Sequence, residues 1–186
     1  VWKYTLYFPN LPKAFDGYRI TQISDIHCGS FDNYDKIRYG VELINAQKSD
    51  VILFTGDLVN NLAEEVRDWK QLFATLHAPD GVFSIMGNHD YGDYSSWESA
   101  EAKQQNIAEL HRLQKEMGWD LLLNNNRYLE RNGDKIALIG VENWGHGRFS
   151  KYGDLDKAME GVNDADFKIL MSHDPTPVSY THLRAH

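Results

Sequence analysis

Short apolar runs alternate along the chain with longer amphipathic stretches. Four runs, at residues 18–25, 50–57, 81–88 and 167–174, read YRITQISD, DVILFTGD, GVFSIMGN and FKILMSHD. Each is short, apolar and closed by polar residues, which predicts a buried strand. Between them, residues 34–47 and 63–77 carry apolar side chains at helical spacing, for example Val66, Trp69 and Phe73. The pattern therefore predicts strands that alternate with helices.

The middle of the chain adds a long helix and a hairpin. Residues 95–118 predict a helix, with Ser95 and Glu98 as a capping box and Gly118 as its stop. Residues 127–143 predict a hairpin that turns at Asn132 and Gly133. No repeat or linker interrupts the order of elements. The sequence thus predicts one α/β domain, with helices packed on a largely parallel sheet.

All four predicted strands end in polar clusters, which read SDIH, TGDLVN, GNHD and SHD. In open α/β folds, binding sites form beyond the carboxyl ends of the strands, where several loops converge. The four clusters therefore predict one shared site.

Each cluster alone also has an ordinary structural interpretation. Asp25 and His27 point to the same face if the backbone is extended, and Asp57 could cap a following helix. Asn88 is common in turns, and His173 could be a hydrogen-bonded residue at a strand end. Taken together, carboxylate, imidazole and amide ligands are the mixture that suits Mn, Fe or Zn. Because no thiolate belongs to the set, a structural zinc-finger site is not expected.

Composition narrows the classes of partner. The chain has 186 residues, is 42% hydrophobic and carries a formal net charge of −8. The hydrophobic share indicates a folded domain, and the negative charge argues against binding to nucleic-acid backbone. Bound divalent ions would reverse the local charge, so phosphate-bearing substrates stay open. The sequence begins at Val1 without a methionine, so an upstream signal or membrane anchor also stays open.

The four clusters, in this order and at these separations, resemble the calcineurin-like metallophosphoesterase superfamily. Asp57 follows Asp25 by 32 positions, and Asn88 follows Asp57 by 31. The resemblance covers residues 10 to 178. The residues around the motifs are most similar to a bacterial phosphoesterase branch whose members often follow a membrane-spanning N-terminus. It implies an αββα sandwich of two mixed sheets flanked by helices. It also implies a phosphorylated small molecule or a lipid-derived phosphate as substrate, and a membrane-tethered parent protein.

The resemblance further implies a role for each matching residue. Two divalent ions (Mn, Fe or Zn) would activate a hydroxide that hydrolyses a phosphate mono- or diester or a pyrophosphate. Asp57 would bridge the ions, and His89 would stay off them and assist the leaving group as the catalytic residue. The implied metal ligands are Asp25, His27, Asp57, Asn88 and His173.

One position departs from the family pattern. Many relatives have an aspartate three places after the bridging aspartate, where it orients the catalytic histidine. Here that place is Asn60, which can form a hydrogen bond but adds no charge. Asp90, next to His89, is the candidate to compensate. We therefore treat Asn60 and Asp90 as supporting residues.

The end of the chain does not match the Gly-His-x-His motif that closes the family pattern. His182 lies nine positions after His173, and His186 follows it by four positions rather than two. We therefore expect residues 179–186 to be a non-native tail on an incomplete domain, residues 1–178, that lacks its C-terminal strands. Such a chain is expected to bind metal weakly and to aggregate, and whether it keeps activity stays open.

Other interpretations stay open at this point. A metallophosphoesterase-fold scaffold that binds a protein partner would need no catalysis, and a nuclease would use the same metal pair. The loop at residues 141–154, VENWGHGRFSKYGD, contains Arg148, a candidate contact for a substrate phosphate. A solvated loop with Trp144 packed beneath it is the alternative.

Overall fold

The structure is a computed structural model that describes residues 1–145, 151–164 and 166–176. Within these residues the strands form two sheets. One sheet has the order β1-β2-β3-β4 and is parallel throughout. The other has the order β5-β6-β7, in which β5 and β6 are antiparallel and β6 and β7 parallel. The strands are β1 (Ile20–Ile23), β2 (Val51–Phe54), β3 (Val82–Ser84), β4 (Asp120–Leu121), β5 (Asn125–Arg131), β6 (Asp134–Gly140) and β7 (Lys168–Met171).

The described α-helices are α1 (Tyr34–Asn45), α2 (Lys70–Phe73), α3 (Ala100–Glu116) and α4 (Leu155–Ala158). The side chain of Asn33 caps α1 by accepting a hydrogen bond from the Lys36 N–H. Within the described ranges, none of the helices combines the length and the apolar character that crossing a bilayer requires. The predicted hairpin is confirmed, since β5 and β6 are joined at Asn132 and Gly133.

Two helix predictions were wrong in detail. The predicted helix at 63–77 is broken into a 3-10 helix, Ala63–Val66, and the short α2. The break sets the Trp69 ring edge-on to Phe31, with 5.2 Å between the ring centroids, so tertiary packing overrides the helical pattern. The long helix begins at Ala100 rather than at Ser95. Its cap is Ser99, whose hydroxyl accepts a hydrogen bond from the Ala102 N–H.

The two sheets pack face to face through an apolar core. Side chains alternate along β2, so Val51 and Leu53 face this core while Ile52 and Phe54 face the helices of the first sheet. On the other side, Ile136 and Leu138 of β6 enter the same inter-sheet core. Ile139, on the opposite face of β6, packs with residues of α4. The order of layers is therefore helix, sheet, sheet, helix, and the predicted αββα sandwich is confirmed. Two mixed sheets were expected, but in the described residues only the β5-β6-β7 sheet is mixed.

The first residues of the chain add no strand to either sheet. Residues 1–8 form neither helix nor strand, and the side chains of Trp2 and Tyr4 are exposed to solvent. Phe8 packs against Phe167, with 5.3 Å between the ring centroids. Residues 177–186, with His182 and His186, lie outside the described residues. The boundary at residue 178 therefore stays a prediction.

Gly140 sets how closely the sheets approach, and its substitution tests the packing. A Cβ at this position would lie 2.3 Å from the Cβ of Leu122. We expect Gly140→Ala to lower the free energy of unfolding by about 1–3 kcal/mol, because the backbones of two packed layers must separate. The measurement is urea unfolding followed by circular dichroism.

Gly40→Ala is the matched control. Gly40 lies within α1, and an added Cβ there would meet no atom within 4 Å. The same substitution should raise the free energy of unfolding there, by about 0.5–1 kcal/mol, because alanine favours a helix. Equal effects at the two glycines would contradict the predicted close contact between the sheets.

Candidate metal centre

The loop after β1 brings Asp25 and His27 to the site through left-handed backbone. Their φ angles are 54° and 46°, and β1 already ends at Ile23. The sequence-based expectation of extended backbone at these residues was therefore wrong. Each left-handed residue costs of order 1–3 kcal/mol, and such strain is typical of functional sites. Two backbone hydrogen bonds hold the loop in place, from the Asp25 N–H to the Gly56 carbonyl (3.0 Å) and from the His27 N–H to the Asp57 carbonyl (3.1 Å).

The loops after β2 and β3 touch each other through two glycines. A Cβ on Gly56 would lie 2.4 Å from the Gly87 nitrogen, and one on Gly87 would lie 2.2 Å from Asp57 Oδ1. Gly56 also has a φ of 98°, which favours glycine. The glycines in TGD and GNHD therefore allow the approach that brings Asp57 beside the next loop.

Asp57 lies at the centre of the site. Its side chain is 4% exposed, whereas that of Asp25 is 57% exposed. Oδ1 accepts a hydrogen bond from the His89 N–H at 2.9 Å. Oδ2 lies 3.5 Å from Nε2 of His27 and 3.3 Å from Nε2 of His173. One buried carboxylate oxygen thus faces two imidazole nitrogens that belong to different loops.

Asp57 and His173 change each other's acidity. Burial acts to raise the pKa of Asp57, but hydrogen bonds from His173 and the His89 backbone leave it below its usual value. Burial acts to lower the pKa of His173, but the hydrogen bond and the charge of Asp57 raise it to about 9. The two shifts have a common cause, since each of the two groups favours the charged form of the other.

A backbone carbonyl orients the His173 ring. Nδ1 of His173 donates a hydrogen bond to the Thr55 carbonyl at 2.8 Å, since a carbonyl can only accept. The other ring nitrogen, Nε2, then faces Asp57 and lies 3.0 Å from Oδ1 of Asn88. Metal-binding histidines commonly use their second nitrogen in this way.

The donor atoms fit divalent metal. Two groups of ligand atoms, each within 4.8 Å of one another, are present in the described residues. The resemblance pairs Asp25 with His27, so the grouping by distance differs, but Asp57 is common to both groups. Carboxylate and imidazole donors that converge on a buried carboxylate suit a first-row divalent ion. The two groups are His27, Asp57 and His89, and Asp25, Asp57 and His173.

His89 is oriented by the backbone of Asn60, not by its side chain. Nδ1 of His89 donates to the Asn60 carbonyl at 2.7 Å, which leaves Nε2 as the second ring nitrogen. The Asn60 side chain instead forms a hydrogen bond with Ser30, and its backbone N–H donates to Glu65 at 2.6 Å. The main chain at this position therefore performs the orienting task for which relatives use an aspartate side chain.

Asp90 fastens the loops together. Its fully buried carboxylate accepts four backbone N–H hydrogen bonds, from Asp57 (2.8 Å), Leu58 (2.8 Å), Val59 (3.2 Å) and Gly87 (2.9 Å). Burial raises its pKa to about 7, although several of these hydrogen bonds act to lower it.

This arrangement differs from the expected one. Asp90 was expected to compensate for the missing charge beside His89, but its two oxygens are directed to the loop after β2 and to Gly87. Its contribution is therefore to the backbone that carries Asp57.

A cavity of about 250 Å³ opens beside the donor atoms. Asn143 and Gly145, from the loop after β6, line it, so this loop borders the site as the sequence indicated. Arg148, on the same loop, lies outside the described residues. The lining residues are Asn88, Asn143, Gly145, His173, Asp174 and Pro175.

Sequence reasoning missed three residues that shape this site. Thr55 orients His173 through its carbonyl, and Glu65 accepts N–H groups of the loop that carries Asn60. The third, Tyr94, contacts Asn88 and His89. Backbone acceptors leave no mark in a sequence. Tyr94, six positions after Asn88, had only its proximity to the GNHD cluster as a signal.

Comparison with known proteins agrees with this geometry. The family model described as calcineurin-like phosphoesterase matches residues 18–185. The chain belongs to the calcineurin-like phosphoesterase family. All five proposed ligands and His89 lie within the matched residues. Members of this family use divalent metals, in agreement with the groups of donor atoms described above.

Curated relatives in the family come from bacteria and animals. The chain is 29% identical over 168 residues to the uncharacterized metallophosphoesterase YkuE of Bacillus subtilis, covering 89% of this chain and 54% of that protein. It is 27% identical over 178 residues to a Danio rerio transmembrane protein with metallophosphoesterase domain, covering 89% of this chain and 37% of that protein.

A third relative is named for an enzymatic activity. It is UDP-2,3-diacylglucosamine pyrophosphatase LpxG of Chlamydia trachomatis, 38% identical over 91 residues, covering 47% of this chain and 28% of that protein. The chain thus spans about half of the Bacillus relative's length, and a smaller part of the other two.

Asp90→Asn tests the fastening of the loops. Each oxygen of Asp90 accepts two N–H groups, so an amide in either orientation places its NH₂ against two donors. We expect the free energy of unfolding to fall by about 2–4 kcal/mol because these donors lose their acceptor. The measurement is urea unfolding of the metal-free protein.

Asp35→Asn provides the control. Asp35 lies on α1, and its side chain is 85% exposed. This variant should stay within ~0.5 kcal/mol of the parent, as surface substitutions usually do. A similar small effect for Asp90→Asn would show that the buried carboxylate does not hold the loops.

Proposed function

We propose that this chain carries the site of a metal-dependent phosphoester hydrolase. The observation that carries the proposal is the buried carboxylate of Asp57, which lies between two imidazole groups and belongs to both groups of donor atoms. A buried carboxylate shared in this way suits a ligand that bridges two cations. Family membership supports the same activity.

Two divalent ions, Mn, Fe or Zn, fit the donor set. When bound, such a pair supplies a hydroxide at neutral pH and neutralises charge on a phosphoryl group. In this proposal Asp25 and His27 would hold one ion, Asn88 and His173 would hold the other, and Asp57 would be shared. The orientation of His173 by the Thr55 carbonyl and the burial of Asp57 support these roles.

His89 is proposed to protonate the leaving oxygen. The hydrogen bond from Nδ1 to the Asn60 carbonyl fixes the orientation of the ring and makes Nε2 the nitrogen that can serve the leaving oxygen. In the proposed step the imidazolium gives its Nε2 proton to the leaving oxygen and is left neutral, with its remaining proton on Nδ1. The edge of the His27 ring, at 4.8 Å between centroids, limits the movement of the His89 ring.

The proposed function is tested by metal binding and hydrolysis in parallel. We expect the Mn²⁺-loaded chain to hydrolyse bis(p-nitrophenyl) phosphate, p-nitrophenyl phosphate or a nucleoside pyrophosphate faster than Mn²⁺ alone. Asp57→Asn should lose both metal and activity. His89→Asn should retain metal and lose about 10²-fold or more in kcat, the usual contribution of a general acid.

The outcomes separate the alternatives. A chain that binds no Mn²⁺ would overturn the proposal for this polypeptide and favour a non-catalytic scaffold that binds a protein partner. Hydrolysis of single-stranded DNA at low salt would favour the nuclease, against which the net charge of −8 argues. If His89→Asn retained activity, only the proposed role of His89 would be overturned, and the proposed metal centre would stand.

The substrate is proposed to be a phosphorylated small molecule, and specifically a lipid-derived phosphate. The diacylated substrate in the name of the Chlamydia relative supports this, and the transmembrane relative supports a membrane-tethered parent protein. No nucleic-acid partner is proposed. Arg148 is proposed to bind a substrate phosphate, since its loop borders the cavity at Asn143 and Gly145.

An apolar cleft beside the loop that carries Asp25 supports a lipid-derived substrate. It has a volume of about 280 Å³ and runs between the loop after β1 and the helices α1 and α2. Ser24 and Ile26, the neighbours of Asp25 in the chain, line it, so the cleft adjoins the loop that carries Asp25. Its other lining residues are Ile23, Phe31, Lys36, Ile37, Gly40, Val41, Ile44, Phe73 and Leu76.

Gly40→Leu tests the cleft. Because a side chain at Gly40 meets open space, leucine should fill part of the cleft without strain. We expect the KM for hexadecyl p-nitrophenyl phosphate to rise about tenfold, equivalent to fewer than two buried methylenes at ~0.8 kcal/mol each. Methyl p-nitrophenyl phosphate, which lacks the long alkyl chain, is the matched substrate, and its KM should not change. An equal change for both esters would contradict binding of the alkyl chain in this cleft.

A further inference from the structure

Tyr94 contacts two residues of the proposed site at once. Its hydroxyl accepts a hydrogen bond from Nδ2 of Asn88 at 2.8 Å. Its ring packs against the His89 ring, with 4.5 Å between the centroids and 39° between the planes. The Tyr94 side chain therefore contacts both a proposed ligand and the proposed general acid.

The hydrogen bond from Asn88 determines which atom of its amide faces the site. Oδ1 of Asn88 lies 3.0 Å from Nε2 of His173, on the side where the donor atoms converge. A cation there binds the amide oxygen and excludes the NH₂ group, which must find an acceptor elsewhere. The Tyr94 hydroxyl is that acceptor. Residues that form a hydrogen bond with a metal ligand, and not with the ion itself, fix the orientation of that ligand.

The segment that carries Tyr94 is itself well anchored. It follows Gly92, which has a φ of 66° and whose added Cβ would lie 2.6 Å from the Trp97 ring. Trp97 Nε1 donates a hydrogen bond to the Gly92 carbonyl at 2.7 Å. Asp93 forms an ion pair with Lys103 of α3. Contacts with Trp97 and with α3 thus fix the turn, and they hold Tyr94 beside Asn88.

We propose that Tyr94 is a positioning residue of the metal centre. Its hydroxyl holds the Asn88 amide with the oxygen toward the ion, and its ring supports the plane of His89. The proposal rests on the proposed function, since it assigns the way in which one ligand of that centre is held. Tyr94 acts through Asn88 and His89 and does not touch the reacting atoms.

Tyr94→Phe isolates the hydroxyl and keeps the ring. We expect the affinity for Mn²⁺, measured by titration calorimetry on this chain, to fall about tenfold. This is the low end for loss of such a partner, because water reaches a tyrosine that is 47% exposed. Thermal unfolding of the metal-free protein should stay unchanged. At saturating Mn²⁺, kcat should return to the parent value, which a general structural defect would not allow.

Two further variants complete the test. Tyr39→Phe is the matched control, since Tyr39 lies on α1 and is 61% exposed, and its Mn²⁺ affinity should equal that of the parent. Tyr94→Ala also removes the ring, and we expect it to lower kcat even at saturating Mn²⁺ because His89 loses its support.

The outcomes distinguish this proposal from the function on which it rests. If the unsubstituted chain binds Mn²⁺ and the affinity of Tyr94→Phe lies within twofold of it, the positioning role of the hydroxyl is overturned and the metal centre stands. If Tyr94→Ala retains the parent kcat, the support of His89 is overturned. If the parent itself binds no Mn²⁺, both the positioning role and the proposed function fail.

Discussion

The architecture of the site depends on two buried carboxylates, those of Asp57 and Asp90. Asp90 accepts the backbone N–H groups of the loop after β2, including that of Asp57 itself. Asp57 in turn accepts the backbone N–H of His89, which precedes Asp90 in the chain. Each loop therefore holds the other through a carboxylate. The loop after β1 then attaches to this pair through backbone hydrogen bonds to Gly56 and Asp57.

This mutual support explains why a strained backbone persists. Asp25, His27 and Asp57 all have left-handed φ angles, which side chains with a Cβ rarely adopt. Their cost is met by hydrogen bonds between loops and by the apolar layers beneath them. The two glycines at the contact between loops remove the atoms that would keep the loops apart. The geometry of the donor atoms is thus a property of three loops together.

Much of this could be predicted from the sequence, because the signals were local. Apolar runs marked the strands β1, β2, β3 and β7, the Asn132-Gly133 turn marked the hairpin, and the polar clusters marked the loops whose donor atoms converge. The αββα order of layers came from resemblance to a family, which the family match and the layer packing then supported.

The remaining features depend on contacts that a sequence does not record. Left-handed backbone at Asp25 and His27 follows from pairing with a loop about thirty residues away. The break before α2 follows from packing of Trp69. Asp90 follows His89 in the sequence, but its carboxylate accepts hydrogen bonds from buried backbone N–H groups and does not orient the His89 ring.

The carbonyl of Asn60 has a consequence for how this site tolerates change. An orienting carboxylate can be lost by substitution and loses its charge in acid, whereas a main-chain oxygen suffers neither fate. Any residue that keeps the same backbone path at position 60 would present the same acceptor to His89. The side chain there is left to serve the contact with Ser30. Sequence drift at a position that looks catalytic in relatives would therefore leave the tautomer of the histidine intact.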